Sequence, residues 1–514
     1  MTDLIAGAYL SDCVRKWAAA TPDKVALIDG ERAVTYTELD AVSQRIASAL
    51  RASGLDAGAR VGYLGKNSAA FFEIWVGANR ASFALTPLNW RSSSHELAAI
   101  VDDAQLAILF VGDGFDELTE RALVLTDTKP AVVGLDTLES WLADTRPDDL
   151  APLAADADRT ALLAYTSGTT AAPKGVAITN AALLEWHRVA ALDPETAWSA
   201  ADTGLMVMPN FHLAGSWVSV PALFHGATLA VLPAFEPMSF LAALRAHRVT
   251  VTCLVPTAIH SLLQHVSALP ADDRPVLRRM LYAGSSIDAV TLDALIDAFD
   301  CDLVQFYGTT ETFIICLLRP AQHRGGDGQT LSSCGQPMGS VQLRIVDRAG
   351  LDVADGCPGE VTVKSPWMFN GYWNSPDATA ASMAEGWYHT GDVGYRDAAG
   401  NVHLVDRLKD MIVTGGENVY CAEVERALVS HPAVAAAAVV GAPDQKWGER
   451  VVAFVVPAID SAIDREDLTA HCRQRIAGYK VPKDIYLVDE LPTNGSGKVT
   501  KGELRRRIRT REFT

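Results

Sequence analysis

The chain has 514 residues, 49% of them apolar, and a formal charge of −18 from 44 basic and 62 acidic side chains. That length exceeds one ordinary core and sets an expectation of about two to four domains, with no long disordered stretch. The acidity speaks against a nucleic-acid partner or an anionic membrane surface, although a locally positive site still admits an anionic ligand.

In chain order, "MTDLIAGAYLSDCVRKW" carries an early Asp and no basic run before an apolar core, so no signal peptide is expected. "YTELDAVSQRIASALRASGL" puts Leu39, Val42, Ile46 and Leu50 on one helical face and stops at Gly54. "ARVGYLGKNSAAFFEIWVGANRAS" reads as strand, polar turn and helix, and "AQLAILFVGDG" and "PAVVGLD" as further buried strands. Such alternation predicts an α/β fold of largely parallel sheets covered by helices. Thr203 to Phe235 lacks Asp, Glu, Lys and Arg, but Pro209, Pro221, Gly226 and Pro233 break it. It is read as buried strands and helices, with no integral membrane segment. From about Ser340 to Asp406, apolar runs joined by Gly, Asp and Asn turns predict antiparallel hairpins. A compact tail follows, with a helix around Ala422–Ser430, strands in "AVAAAAVVGAP" and "RVVAFVVP", a helix over 465–476 and a basic helix in "KGELRRRIRT". The domain boundary is placed at 406–410. Eight scattered cysteines, without a CxxC pair or a Cys/His cluster, fit a reducing cytosol and speak against zinc.

Five stretches carry candidate chemistry. In "AYTSGTTAAPKGVAITN", Thr166, Ser167, Thr169 and Thr170 offer hydroxyls, Gly168 permits a tight turn, and Lys174 supplies a charge suited to phosphate. The spacing is not the common P-loop, and the stretch alone also fits a Ser/Thr-rich surface turn. "VQFYGTTETF" delivers Tyr307, Gly308, Thr309, Thr310 and Glu311 at a strand end, where a carboxylate beside hydroxyls suits Mg2+. It equally fits a helix start capped by Thr309 or Thr310, with Glu311 in the first turn. "WYHTGDVG" contributes Asp392, able to accept two ribose hydroxyls. "VDRLKDMIVTGGENV" contributes Arg407, Lys409, Gly415 and Gly416, and "LPTNGSGKVTKGEL" contributes Lys498. Alone, these last read as turns and solvated surface.

Together, in this order, the motifs resemble the adenylate-forming superfamily, which includes acyl-CoA synthetases, aryl-CoA ligases and peptide-synthetase adenylation domains. The resemblance runs from "VALIDGERAVTYTELD" to "KGELRR". It implies a large N-terminal domain (1–406) of parallel-rich sheets with a small β-barrel-like subdomain, then a small mobile α+β domain (407–514) hinged near Lys409. It implies a two-step reaction: a carboxylate attacks ATP, giving acyl-AMP and pyrophosphate, and the thiol of CoA displaces AMP. By residue, Thr166 to Thr170 and Lys174 would hold the outer phosphates. Glu311 would bind Mg2+ with Thr310 near the phosphates. Tyr307 and the backbone of Gly284, Ser285 and Ser286 would flank adenine, with Gln305, Gly308 and Thr309 in the same nucleotide site. Asp392 and Arg407 would hold ribose, and Lys498 would reach the α-phosphate oxygens. Gly415 and Gly416 would line the thiol tunnel. Lys498 is also the kind of lysine that an acetyltransferase modifies in some relatives.

His212 stands where amino-acid-activating relatives have an Asp, so a plain carboxylic acid is expected; a buried structural histidine is the competing reading. Ala214, Gly215, Ser216 and Gly284 would leave a roomy apolar pocket, suited to a medium or long acyl chain or a bulky polycyclic acid. The reading is thus a cytoplasmic acyl-CoA synthetase. An acyl-AMP ligase serving a carrier protein, an aryl-CoA ligase and a non-catalytic nucleotide-binding module are the alternatives, and a homodimer is left open. Two departures from the family pattern stand out: Ala171 where Gly is usual, and Cys421 where Pro is common.

Overall fold

The computed structural model describes residues 9–143, 156–166, 173–266, 269, 274–284, 287–415, 417–458, 461, 463–493, 499–510 and 512, with Trp217 described for its backbone alone. The chain divides into two compact units, one of residues 1–342 and 363–388, the other of 343–362 and 389–514. The division falls inside two strands, Gly359–Lys364 and Trp387–Arg396.

In the first unit, local chemistry sets the elements. Helix Tyr36–Ala52 starts at Thr35, whose side chain accepts from the Glu38 N–H while Glu38 reaches back to the Thr35 N–H. Its buried face carries Leu39, Ile46 and Leu50, and Gly54 follows in the left-handed conformation. The charge-poor span from Thr203 becomes strand Thr203–Met206, helix Leu213–His225 and strand Thr228–Val231, with side chains in both main apolar cores of this unit. No helix among the described residues is long and apolar enough to cross a membrane.

Two sheets organise this unit. The larger runs Asp302–Thr309, Arg279–Ala283, Val251–Leu254, Thr203–Met206, Thr228–Val231 and Val25–Asp29 in parallel. Antiparallel strands close it, Phe313–Leu318 and Gln336–Pro337 at one edge and Arg32–Thr35 at the other. The smaller runs Ala131–Gly134, Ile108–Val111, Arg60–Leu64, Ala84–Leu88 and Thr160–Thr166 in parallel, then Lys174–Thr179 antiparallel. Helices bury apolar faces on both, giving the two main cores. In open α/β sheets, ligands gather at the carboxyl ends of the parallel strands, and Gly284 and Tyr307 stand at those ends.

The second unit has its own core, with Val439, Val451, Leu428 and Leu468 among its buried members. Its long hairpin pairs Val434–Asp444 with Gly448–Pro457; Asp484–Leu487 adds in parallel and Ile412–Thr414 antiparallel. Helices Cys421–Val429, Arg465–Arg473 and Lys501–Thr510 occupy the expected places. This α+β unit and the α/β unit give the mixed fold that the sequence predicts.

Candidate active site

In the first unit, strand Thr160–Thr166 ends opposite the start of strand Lys174–Thr179, with Thr166 in register with Lys174. The Thr166 hydroxyl donates to the Lys174 carbonyl at 3.5 Å. The loop between them, with Ser167, Gly168, Thr169, Thr170 and Ala171, lies outside the described residues, so the hairpin fixes only where it leaves and returns. A segment from far along the chain docks beside Lys174. The Trp373 N–H donates to the Gly175 carbonyl at 2.7 Å and the Asn370 N–H to that of Ala177 at 2.8 Å. This brings Tyr372 under Lys174, whose Nζ stands 5.1 Å from the ring centroid.

Tyr372 also connects Lys174 to Glu311. Its hydroxyl donates to Glu311 Oε1 at 2.7 Å, and the Tyr388 hydroxyl lies 3.4 Å from that of Tyr372. Because the Tyr372 proton faces the carboxylate, Tyr388 is the donor of the second bond. Burial, reinforced by the Glu311 charge, pushes both phenols well above the ordinary tyrosine range, so both remain protonated at neutral pH. Glu311 is 8% exposed and, among the described residues, has no basic partner at ion-pair distance.

Glu311 sits in a hairpin, not in the first turn of a helix. Strands Asp302–Thr309 and Phe313–Leu318 pair antiparallel across it. The Thr312 hydroxyl accepts the Thr309 N–H at 3.0 Å, and Thr309 and Thr312 share a hydroxyl contact of 3.1 Å. Gly308 is obligatory there, since a Cβ would lie 1.6 Å from the Phe313 carbonyl oxygen. Thr310 is half-buried in the turn, Tyr307 is buried at the strand end, and Gln305 holds a buried Oε1 without a hydrogen-bond partner among the described residues. Gly284 ends its strand with φ +94°, and Ser285 and Ser286 lie outside the described residues.

His212 is exposed at the start of helix Leu213–His225, its ring 4.9 Å from that of Phe211, so the buried structural reading does not hold. Ala214 is half-buried. Gly215 and Ser216 are engaged locally: a Cβ on Gly215 would meet the Pro209 oxygen at 2.7 Å, and the Ser216 hydroxyl donates to the Leu213 carbonyl at 2.7 Å.

In the second unit, strands Trp387–Arg396 and Val402–Arg407 put Asp392 directly across from Arg407. Arg407 Nε pairs with Asp392 Oδ1 at 2.9 Å; Asp392 is 5% exposed, whereas the arginine is exposed. Gly391, with φ +68°, leaves its carbonyl to the Leu408 N–H at 2.7 Å, which shapes the turn that exposes Lys409. Next to it, buried Asp410 pairs with Arg505 at 2.9 Å and its carbonyl accepts the Cys421 thiol at 2.9 Å. Gly415 has φ +60° and donates to the Trp447 carbonyl at 2.8 Å. Gly416 and Lys498 lie outside the described residues.

The structure therefore gathers Lys174, Glu311 and the Gly284–Thr309 strand ends in one unit and joins Asp392 to Arg407 in the other. Sequence reasoning missed Tyr372 and Tyr388. Tyr388 stands in a stretch already singled out, "WYHTGD"; Tyr372 lies 61 residues from Glu311, and no spacing announces the contact.

The sequence profile of the AMP-binding enzyme family matches residues 14–373, and that of the AMP-binding enzyme C-terminal domain matches 423–498. The chain is 38% identical to a feruloyl-CoA synthase of an Amycolatopsis species, over 96% of this chain and 97% of the relative. It is 36% identical to the fatty acid–[acyl-carrier-protein] ligase ScoC of Streptomyces coeruleorubidus, over 95% and 94%. Among solved structures, o-succinylbenzoate coenzyme A synthetase of Bacillus subtilis, in complex with ATP and magnesium ion, superposes with a TM-score of 0.84 at 30% identity, covering 96% of this chain and 98% of that one. With a buried carboxylate that has no ion-pair partner among the described residues, linked through Tyr372 to Lys174, and both family profiles in sequence, the chain belongs to the AMP-binding enzymes of the adenylate-forming superfamily and is an acid–thiol ligase of the acyl-CoA synthetase type.

Proposed function

We propose that the chain activates a hydrophobic carboxylic acid, a medium- or long-chain fatty acid or a bulky polycyclic acid, as its acyl-AMP and then transfers the acyl group to CoA. The carrying observation is the Lys174–Tyr372–Glu311 arrangement: an ammonium and an unpaired buried carboxylate held together by one phenol. ATP, Mg2+ and CoA are the co-substrates and cofactor of this chemistry.

The residues present fit Mg2+. Glu311 is a hard oxygen donor without a competing cation among the described residues, flanked by hydroxyls that tolerate retained water. Bound there, Mg2+ would offset the phosphate charge that an incoming carboxylate must approach. Lys174 adds positive charge for the outer phosphates. The orphaned Gln305 oxygen is an acceptor suited to the adenine amino group. Asp392, its side chain oriented by Arg407, accepts ribose hydroxyls. Lys498 stabilises the charge developing at the α-phosphate, where preorganised donors act most strongly. In this reading Lys409 is the pivot between the two half-reactions, with residues 1–406 as the adenylating domain and 407–514 as the moving one. Lys498 is then also a place where acetylation would delete an essential charge. In this reading the enzyme acts in the cytoplasm.

A second acceptor remains in view because ScoC is named for loading an acyl carrier protein. Pyrophosphate release with a panel of acids, with and without CoA, decides. Acid-dependent release and a CoA thioester are expected. Release without any CoA thioester favours the carrier reading, and no release with any acid removes the ligase.

A further inference from the structure

A small cavity lies behind the strand ends that carry the nucleotide-site candidates. Its floor is apolar: Leu281, Phe306 and Ile314 line it from the three neighbouring strands, and Pro221 from helix Leu213–His225. Leu281 is three residues before Gly284, and Phe306 stands between Gln305 and Tyr307, so the cavity and the nucleotide site share strands. The space between the lining atoms, mouth included, is about 400 Å3, but only about 10 Å3 takes the centre of a water molecule. As it stands, the inner end holds roughly one water.

Trp186, His187, Thr196, Trp198 and His225 bring polar atoms to this lining, and two of them stand out. Trp186 is 4% exposed and His187 is 2% exposed, and among the described residues neither Trp186 Nε1 nor His187 Nδ1 has a hydrogen-bond partner. Protein interiors seldom leave such groups unpaired, and when they do a ligand or water is the usual reason. Among the described residues, no Asp, Glu, Lys or Arg lines the cavity. His187 is held neutral by burial, and burial brings His225, also in the lining, down to about 4. A neutral wall has nothing to offset a buried carboxylate or ammonium, which disfavours an acid whose far end carries a charge.

We infer that the acid carries, at its far end, a compact apolar body bearing one neutral oxygen, which Trp186 and His187 receive in this cavity. The inference rests on the ligase reading and narrows its substrate class. Trp186 can only donate, so the ligand must accept. A hydroxyl meets either tautomer of His187, accepting from Trp186 and accepting from or donating to the imidazole; a carbonyl suits the donor tautomer. A plain hydrocarbon end would fill the apolar floor and leave both nitrogens orphaned. Met338, an unbranched lining side chain, is the member best able to give way as the acid enters.

The test uses the full chain and ring-bearing monocarboxylic acids, each paired with its hydroxylated or keto form at the end far from the carboxyl (3-phenylpropanoic acid and its 4-hydroxy form among them). Both acid-dependent pyrophosphate release and calorimetric binding of the free acid are measured. The oxygenated member is expected to win on the order of tenfold in kcat/KM and in affinity. That ratio should fall toward one in Trp186→Phe and in His187→Phe, and survive in part in His187→Gln, which keeps a hydrogen-bonding side chain should the phenylalanine variant fold poorly. No oxygenated preference in any pair, or a ratio unmoved by Trp186→Phe and His187→Gln, overturns the inference. If no acid releases pyrophosphate, the ligase reading fails, while calorimetry still decides for or against the cavity.

Discussion

Two candidate carboxylates, one in each unit, are buried to similar depths and treated in opposite ways. Glu311, in the first unit, touches phenols and, among the described residues, no cation. Asp392, in the second, faces Arg407 across a strand pair at 2.9 Å. A buried carboxylate without a counter-charge is a costly arrangement, and a bound cation relieves it. A paired one is already neutralised. On the proposed reading the first receives a cation and the second orients hydroxyls.

The largest effects should come from the lysines that the proposed mechanism assigns to one half-reaction each. Lys498→Ala is expected to lower acyl-AMP formation by at least 10²–10³-fold while sparing thioester formation from supplied acyl-AMP. Equal loss of both steps in a folded variant removes that assignment. Lys409→Pro should do the reverse, because proline fixes φ at the proposed pivot: adenylation persists and CoA transfer stops. Normal CoA-dependent turnover would leave the pivot elsewhere. Glu311→Gln comes next and tests the unpaired carboxylate directly. About a hundredfold loss of pyrophosphate release is expected, with weaker Mn2+ binding in the presence of ATP by electron paramagnetic resonance. Its thermal midpoint should not fall, since the substitution removes a buried charge and keeps an acceptor for Tyr372. A fall in midpoint with metal binding intact would make Glu311 structural.

How far the sequence carries these assignments differs by length scale. The capping pair Thr35 and Glu38, the buried face of Leu39, Ile46 and Leu50, and the alternation of strands and helices are local and readable. So are Asp392 and Arg407 as separate candidates, although their ion pair depends on strand register. The hairpin around Glu311 is less readable, because "GTTET" also has the composition of a helix cap; the Phe313 carbonyl pressed against Gly308 settles it as a turn. Gly215 and Ser216 read as room for an acyl chain, yet their small size is taken up by the loop at Pro209 and by the Leu213 carbonyl. The phenols on Glu311 and the Trp186–His187 cavity are tertiary facts, made by strands and helices far apart in the chain, and no periodicity carries them.

Asp392→Asn sharpens the other side of the comparison. Asparagine keeps the shape and one acceptor but removes the charge that faces Arg407. About tenfold weaker binding of both ATP and AMP is expected, because ribose is held in both half-reactions and a charge-assisted hydrogen bond is roughly twice as strong as a neutral one. Stability should change little, since Arg407 is half in solvent and such pairs contribute little. Loss of adenylation alone, with AMP binding intact, would move Asp392 from ribose to the phosphates.

The smallest effect, and the most discriminating, belongs to Tyr372→Phe. Phenylalanine keeps the ring beneath Lys174, so the cation–π contact and the packing survive. Only the hydroxyl on Glu311 is lost, and with it the acceptor that Tyr388 uses. If the phenol orients the carboxylate, Glu311 gains freedom that metal binding must then remove. Half-saturation by Mg2+ should rise about three- to tenfold, with the rate at saturating Mg2+ within about twofold of the parent. The sign carries the information. A phenol that instead competed with the metal for Oε1 would, on removal, lower the Mg2+ requirement, and Tyr372 would then be a gate on the carboxylate instead of its guide.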